Sequence, residues 1–373
     1  MTKKKICFVV PEYQVDAATH FPYIFEMIAR LSSDFQIRCI IERSFGSLPS
    51  LDGVELYVQQ PMRFLFRVAQ TKINILRARA AGYCDFYVHY SFFSAFFASL
   101  LVRIFGGRVF YWNCGLPWQY QRNWFREQFE RLVYKMITFL VTGTEGIKRE
   151  YAKQYNIPLE KIKVLPNWID IEKWKVESGK WKVAEKQEEL RERLNIPENA
   201  KILLFVHRLS KRKGAHYIPE ILKRLQDENI VLLVVGDGPE RKALELQTIN
   251  YQLQTKIRFL GWIPQNEIVK YFAIADVFMM PSEEEGFPHV LLEAMASGVP
   301  FVASNIGVVS DIIPQSMRDY LVAVGDVTTF SQKINKLIFE KPEALERMKQ
   351  FLARWVVRYD LFIATNKFIE ITK

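Results

Sequence analysis

Short apolar runs alternate with amphipathic segments along this chain, in two series separated by a polar stretch. No other feature limits the fold so strongly. The first series reads as strand Ile6–Pro11, helix Phe21–Leu31, strand Ile37–Glu42, helix Arg63–Ala80, strand Asp85–His89, helix Phe92–Phe105, strand Arg108–Trp112, helix Trp118–Met136 and strand Ile137–Thr142. Residues 171–200 break the rhythm, being rich in Lys and Glu and poor in core residues, and they read as a linker plus a surface helix. The second series runs through strand Lys201–Val206, helix His216–Gln226, strand Ile230–Val235, helix Glu240–Leu246, strand Lys256–Leu260, helix Gln265–Ile274, strand Val277–Met280, helix Pro288–Ser297 and strand Pro300–Ala303. Strands that alternate with helices build parallel, doubly wound sheets. The expected class is therefore α/β, with two such domains facing across a cleft and ligands bound at the carboxyl ends of the strands. A chain of 373 residues is long enough for two cores.

Charge is uneven. Residues 1–175 carry 24 Lys+Arg against 15 Asp+Glu, whereas the remainder is nearly balanced, so the first half is the part expected to meet an anionic partner. Nucleic acid is not expected, since no helix-turn-helix, RNP or zinc pattern occurs. A membrane surface fits better. Arg63, Arg67, Lys72, Arg77 and Arg79 interleave with Phe64, Leu65, Phe66, Ile73, Ile75 and Leu76, and Arg122, Arg126 and Arg131 lie beside Trp118, Trp124, Phe125 and Phe129. Basic side chains among aromatics suit a helix lying in a headgroup layer. The longest apolar run, Phe92 to Phe105, is broken by Arg103 and falls short of the roughly 20 residues that span a bilayer. Cys7, Cys39, Cys84 and Cys114 make no CxxC pair or zinc spacing, and with no signal-peptide pattern at the start they read as reduced thiols in a cytoplasmic protein, which the basic and aromatic segments would bring to the inner face of the membrane.

The chemistry concentrates in the second series. Residues 281–304 place Glu285 in a loop and Glu293 on an otherwise apolar helix that Gly298 and Pro300 close. A carboxylate on a buried helix must be hydrogen-bonded or become neutral. After strand 201–206 comes His207-Arg208-Leu209-Ser210-Lys211-Arg212-Lys213-Gly214, where Arg208 and Lys213 suit a diphosphate, one as a planar fork and the other as a point charge. Val235-Gly236-Asp237-Gly238 is a strand followed by a turn that lets a ligand approach the backbone. Trp262 and Ile263 follow another strand, and Trp262 either covers a base or is simply packed. No Asp-x-Asp motif and no metal-spaced His/Asp cluster is visible, so neither a metal nor another cofactor is expected.

The string Glu-Gly-Phe-Pro-x-x-x-x-Glu-Ala-Met-Ala-x-Gly-x-Pro, from Glu285 to Pro300, resembles the Glu-x7-Glu segment of the family-4 retaining glycosyltransferases. Arg208-Leu209 with Lys213-Gly214, and Leu165-Pro166-Asn167-Trp168-Ile169-Asp170, are similar to further strings of that family. The resemblance implies two Rossmann-like domains of the GT-B type: an acceptor-side domain over 1–170, a linker over 171–200, a donor domain over 201–345 and a C-terminal helix, 346–373, crossing back. It implies a nucleoside-diphosphate sugar as donor. Arg208 and Lys213 would offset charge on the departing nucleotide, Glu285 would hold the donor sugar, and Glu293 the ribose. The amides of Gly286, Phe287, Pro288, His289 and Val290 stand in the segment facing the diphosphate, with Gly236, Trp262 and Ile263 lining the nucleotide. (Pro288 contributes shape, having no N–H.)

The first domain departs from the family pattern. The loop after its first strand, Tyr13 to His20, lacks the usual Gly-Gly turn, and Asn113-Cys114-Gly115 stands where a His-Gly pair is common. His20, His89 and Asn113 are the candidates on the acceptor side. The implied reaction is retaining transfer of a sugar to a lipid-linked or polysaccharide acceptor in envelope or exopolysaccharide assembly. The alternatives are a sugar-nucleotide epimerase or phosphorylase on the same scaffold, or a non-catalytic module that binds nucleotide sugar.

Overall fold

Ile6–Val10 is buried on both faces, and so is Ile37–Ile41. Apolar runs of this kind belong to parallel sheets covered by helices on both sides. The computed structural model describes residues 3–14, 22–45, 50–59, 63–119, 121–181, 183–226 and 229–373. They divide into two units, Met1–Pro166 with Ala364–Lys373, and Asn167–Ile363.

The first unit holds a seven-stranded parallel sheet of β1 (Lys4–Val10), β2 (Phe35–Ile41), β3 (Val54–Val58), β4 (Asp85–His89), β5 (Arg108–Trp112), β6 (Phe139–Thr142) and β7 (Ile162–Val164), in the order β3-β2-β1-β4-β5-β6-β7. The second holds six parallel strands, β8 (Lys201–Val206), β9 (Ile230–Val235), β10 (Ile257–Gly261), β11 (Val277–Met280), β12 (Phe301–Ser304) and β13 (Leu321–Val322), in the order β10-β9-β8-β11-β12-β13. Both are doubly wound α/β sheets of the expected class. In each, the winding reverses between the first strand and the fourth, β1/β4 and β8/β11. Chain leaving those two strands diverges, which opens a crevice at the carboxyl edge.

The end of the chain completes the first unit. Phe368 is fully buried, with its ring 5.0 Å from Tyr87, 5.5 Å from Phe8 and 6.2 Å from Phe35. The Thr372 carbonyl accepts from Arg108 Nη2 at 2.7 Å, and Arg108 is itself paired with buried Asp85.

Several elements differ from the sequence reading. Residues 171–200 are not a bare linker. They form helices Ile171–Trp181 and Ala184–Arg193 inside the second unit. One tryptophan anchors the first of these: Trp174 is buried, packs on Phe272 and donates its indole N–H to Ser297 Oγ at 2.9 Å. A single large ring there supplies the burial that several smaller residues provide elsewhere. The unit boundaries accordingly fall at 166/167 and 363/364. The helix expected over Trp118–Met136 begins at Trp124, because Asn123 caps it by accepting from Arg126 N. Pro117–Gln119 is a separate 3₁₀ turn. Strands β3 and β7, and helix Glu145–Tyr155, were not anticipated.

In the second unit the loops leaving β8 and β11 touch. Gly214 sits at φ +70°, and a Cβ there would stand 1.9 Å from the carbonyl oxygen of Pro281. Gly106 has a similar φ of +77° but open space around it. Gly106→Ala should therefore cost only the left-handed strain, about 1–2 kcal/mol. Gly214→Ala must also separate two backbones, and its urea midpoint should fall at least twice as far. Equal shifts for the two variants would contradict a backbone contact between the loops.

Candidate functional site

Adjacent strand order makes adjacent loops. Gly236, after β9, donates its N–H to the Gly261 carbonyl at the end of β10 (2.7 Å). Leu209, after β8, donates to the Asp237 carbonyl (2.9 Å). A Cβ at Gly236, with φ +132°, would stand 1.9 Å from the His207 carbonyl oxygen. The loops carrying Trp262 and Ile263, Gly236, Arg208 and Glu285 are thereby knit into one edge of the second sheet. Trp262, Ile263 and Gly236 are half-buried there.

The acidic loop after β11 lies against the basic loop after β8, and its carboxylates find partners in turn. Glu283 accepts from Tyr217 Oη (2.9 Å) and faces His216 Nε2 at 3.4 Å. Glu284 faces Arg212 at 3.5 Å. Glu285 accepts from Lys213 Nζ at 2.6 Å. Lys213 is thus buried and engaged, unlike the open point charge its sequence position suggested. Arg208 and Lys211 are exposed, and no ion pair among the described residues involves either.

Glu285 is 5% exposed. Burial pushes its carboxyl up. The Lys213 charge, the nearby His207 and hydrogen bonds from Lys213 and Ser282 outweigh that, and its pKa is held at about 2. All three neighbours converge on Oε1: Lys213 at 2.6 Å, Ser282 Oγ at 2.9 Å and His207 Nε2 at 3.3 Å. Ser282 and His207 were not assigned roles from sequence, although both stand inside the two strings singled out there.

Helix His289–Ser297 starts immediately after this loop. Pro288 is its N-cap and offers no capping side chain, so no side chain of that residue takes up the first-turn N–H groups that helices leave without partners. The positive end of the helix dipole points the same way. Gly286 and His289 are half-buried, while Phe287, Pro288 and Val290 are buried. The Phe287 carbonyl accepts from buried Asn167 Nδ2 at 2.9 Å, which ties the loop to the Leu165–Asp170 string. That bond joins residues 120 apart and left no trace in local pattern. Glu293 is buried on the same helix, with Gln265 Nε2 3.4 Å from its Oε1.

The first-unit candidates are less open. His89 is buried and stacked on Trp112, ring centroids 4.2 Å apart. Asn113 is buried in a turn, where its Oδ1 accepts from Gly115 N (2.8 Å) and its Nδ2 donates to Tyr134 Oη (3.3 Å). Asn113 thus shapes the backbone of that turn. His20 lies outside the described residues. No group of three or more His, Cys, Asp or Glu side chains placed to hold a metal occurs among the described residues.

The depressed pKa of Glu285 has a consequence for stability. Its folded value of about 2 lies below the ordinary 4.5, so its ionised form stabilises the fold fully above about pH 4.5. That contribution, on the order of 3 kcal/mol, is lost as pH falls towards 2. In denaturant titrations between pH 5 and 2.5, Glu285→Gln should lose less stability on acidification than the parent. Parallel pH profiles would show that Glu285 is not held ionised.

Residues 186–355 match the family of glycosyl transferases group 1. The chain is 33% identical over 184 residues to an uncharacterised glycosyltransferase of Methanocaldococcus jannaschii, covering 48% of this chain and 45% of that protein. It is 30% identical over 224 residues to the UDP-Gal:alpha-D-GlcNAc-diphosphoundecaprenol alpha-1,3-galactosyltransferase of Escherichia coli, covering 56% and 54%. The aligned stretch spans about half the length of these curated relatives. The fold as a whole resembles that of a glycosyltransferase from Rickettsia africae, with a TM-score of 0.81, 18% identity and coverage of 100% and 98%. The Arg208–Gly214 and Glu285–Glu293 loops, joined on one sheet edge, both lie inside the segment that is similar to the group 1 glycosyl transferases.

Proposed function

We propose that the protein transfers a glycosyl group from a nucleoside-diphosphate sugar, with retention of configuration, to a lipid-linked or polysaccharide acceptor in envelope or exopolysaccharide assembly. The observation that carries this reading is the charge arrangement beside helix His289–Ser297. Arg208 is exposed and without an ion pair among the described residues, next to a Lys213–Glu285 pair and the positive end of a helix. A diphosphate suits that combination.

In this mechanism the bond between the anomeric carbon and the donor phosphate oxygen breaks while the acceptor oxygen bonds to the same face. The acceptor's proton passes to the departing phosphate. Arg208, Lys213 and the first-turn amides of helix His289–Ser297 offset the negative charge that builds on that phosphate. Glu293 takes the ribose hydroxyls and Glu285 those of the sugar. A carboxyl with a pKa of about 2 stays ionised at neutral pH, so Glu285 accepts hydrogen bonds and does not act as a general acid. With these cations in place we assign no role to a metal, and turnover should persist in excess chelator.

The E. coli relative is named for a UDP-sugar donor and a lipid diphosphate acceptor, which supports placing the reaction at the cytoplasmic side of a membrane. No described helix is long and apolar enough to cross one. The first unit instead exposes apolar residues on three helices: Phe66 and Ile73 on Phe64–Ala80, Ile104 and Phe105 on Phe92–Phe105, Trp124 and Phe125 on Trp124–Met136. Arg63, Arg77, Arg103 and Arg126 are exposed alongside them. That mixture suits anionic lipid. The protein should float with anionic liposomes at low salt and less at high salt, and Trp124→Ser with Phe125→Ser should weaken flotation. Indifference to anionic vesicles would remove the membrane from the proposal.

The transferase reading is tested by thermal stabilisation across a panel of nucleotide sugars, followed by turnover. A donor should raise the melting temperature by mass action. Arg208→Ala should cut turnover by about 10²-fold with little loss of stability. Lys213→Ala should do both, because it strands the buried Glu285 charge. Glu293→Gln should weaken binding of the free nucleotide, whereas Glu285→Gln should spare it and impair transfer. No stabilisation by any nucleotide sugar, or wild-type turnover in Arg208→Ala, would overturn the assignment.

A further inference from the structure

The first unit carries a cavity of about 600 Å³ that none of the residues above explains. Its walls come from the chain just past β1, β2 and β4: Pro11, Glu42, and Tyr90 with Ser91. It therefore sits at the winding reversal of the first sheet, where doubly wound folds take ligands.

Part of the lining is polar. Buried Glu42 accepts from Ser91 Oγ (2.7 Å) and from Ser94 Oγ. Ser91 is the N-cap residue of helix Phe92–Phe105, yet its hydroxyl serves Glu42 and not the helix. Arg67 and Arg126 line the wall with Glu130. Glu130 is buried and paired with both Arg122 and Arg126, so three arginines face two buried carboxylates, Glu42 and Glu130, and one positive charge is in excess.

The lining is also aromatic, with Phe93, Phe97, Phe125 and Phe129 among its residues. Phe93 and Phe97 begin a stripe that continues outside the cavity. Residues 93, 97, 100 and 104 share one face of the helix, and Phe93, Leu100 and Ile104 are exposed at 42%, 44% and 66%. At 1.5 Å per residue, the stripe from Phe97 to Ile104 runs about 10 Å beyond the cavity. A soluble polyol has no use for such a track. A hydrocarbon chain does, and Lys72, with its Nζ 5.8 Å from the Phe97 ring centroid, lies beside it.

We infer that this cavity and stripe bind an amphiphile with a single hydrocarbon chain, its anionic phosphate at Arg67 and Arg126, its head hydroxyls at Glu42, and its chain along Phe97, Leu100 and Ile104. This rests on the transferase reading for its purpose, since it makes the acceptor lipid-linked and not a polysaccharide. Its binding test stands apart from that reading.

The whole chain is titrated calorimetrically with dimethylallyl phosphate and with farnesyl phosphate, below their aggregation concentrations. Farnesyl phosphate should bind at least ~10-fold tighter, because each additional buried methylene is favourable. Leu100→Glu with Ile104→Glu should erase most of that difference without reducing stabilisation by nucleotide sugar. These residues are exposed, so the fold should tolerate the change. Leu246→Glu, equally exposed but on the second unit, should leave farnesyl phosphate binding unchanged. Arg67→Glu should weaken binding of both phosphates. Equal affinity for the two chain lengths, or undiminished farnesyl phosphate binding in the Leu100/Ile104 variant, would overturn the proposal. Nucleotide-sugar stabilisation with no binding of either phosphate would overturn it too, and would leave the donor reading standing.

Discussion

The buried contact between Lys213 and Glu285 holds the second unit's site together. Each residue is less than a tenth exposed, and each belongs to a different loop. Taking two charges out of water is costly, and such a pair contributes little net stability over an apolar one. Breaking it is another matter, because the survivor would be buried and unpaired. The pair therefore fixes the spacing of the two loops more than it strengthens the fold. Ser282 and His207 reinforce it from the flanks, and Gly214 permits the approach by having no Cβ to meet Pro281. A ligand arriving here meets a surface already assembled.

The same winding rule yields a different site in each unit. Both sheets reverse at their first and fourth strands, so both leave a crevice at the carboxyl edge. In the second unit, loops rich in charge close over that edge, and what remains is a narrow surface of cations and amides. In the first unit, helices that begin with Phe92-Phe93 and Trp124-Phe125 stand around it, and what remains is a cavity lined by both polar and aromatic side chains. The scaffold fixes where ligands go. The loop residues decide what they are.

The architecture was legible because the strands are short apolar runs flanked by turns, and that pattern survives reading in one dimension. The two loops that meet on the second sheet's edge were legible because Glu285 to Pro300 and Arg208 to Gly214 are contiguous strings. What failed has physical causes. Composition marked 171–200 as a linker plus one surface helix where two helices stand, because a helix anchored by Trp174 needs few other apolar residues. The bonds from Asn167 to Phe287 and from Gln265 to Glu293 join distant segments, so neither has a local signature. His89 was singled out as a histidine at a strand end, and Asn113 by its place in the family pattern. In place, one ring stacks on Trp112 and one amide shapes a turn. The cavity went unseen because its walls are gathered from separate strand ends.

Charge pairing between the two loops also bears on the diphosphate we propose for this site. Glu283, Glu284 and Glu285 would repel a diphosphate if they stood alone. Each instead faces a partner on the segment 207–217, and the 2.6 Å contact to Lys213 is the tightest of these. Glu284 and Glu285 are thereby balanced by cations and Glu283 is hydrogen-bonded by Tyr217, while Arg208 and Lys211 are left exposed at the edge. Removing Glu284 or Glu285 would free the cation it faces and raise the local net charge by one. Removing Arg208 would take away one of the two exposed cations that lack an internal claim. On electrostatic grounds the loop is built so that its carboxylates remain available to hydroxyls while its arginine remains available to phosphate.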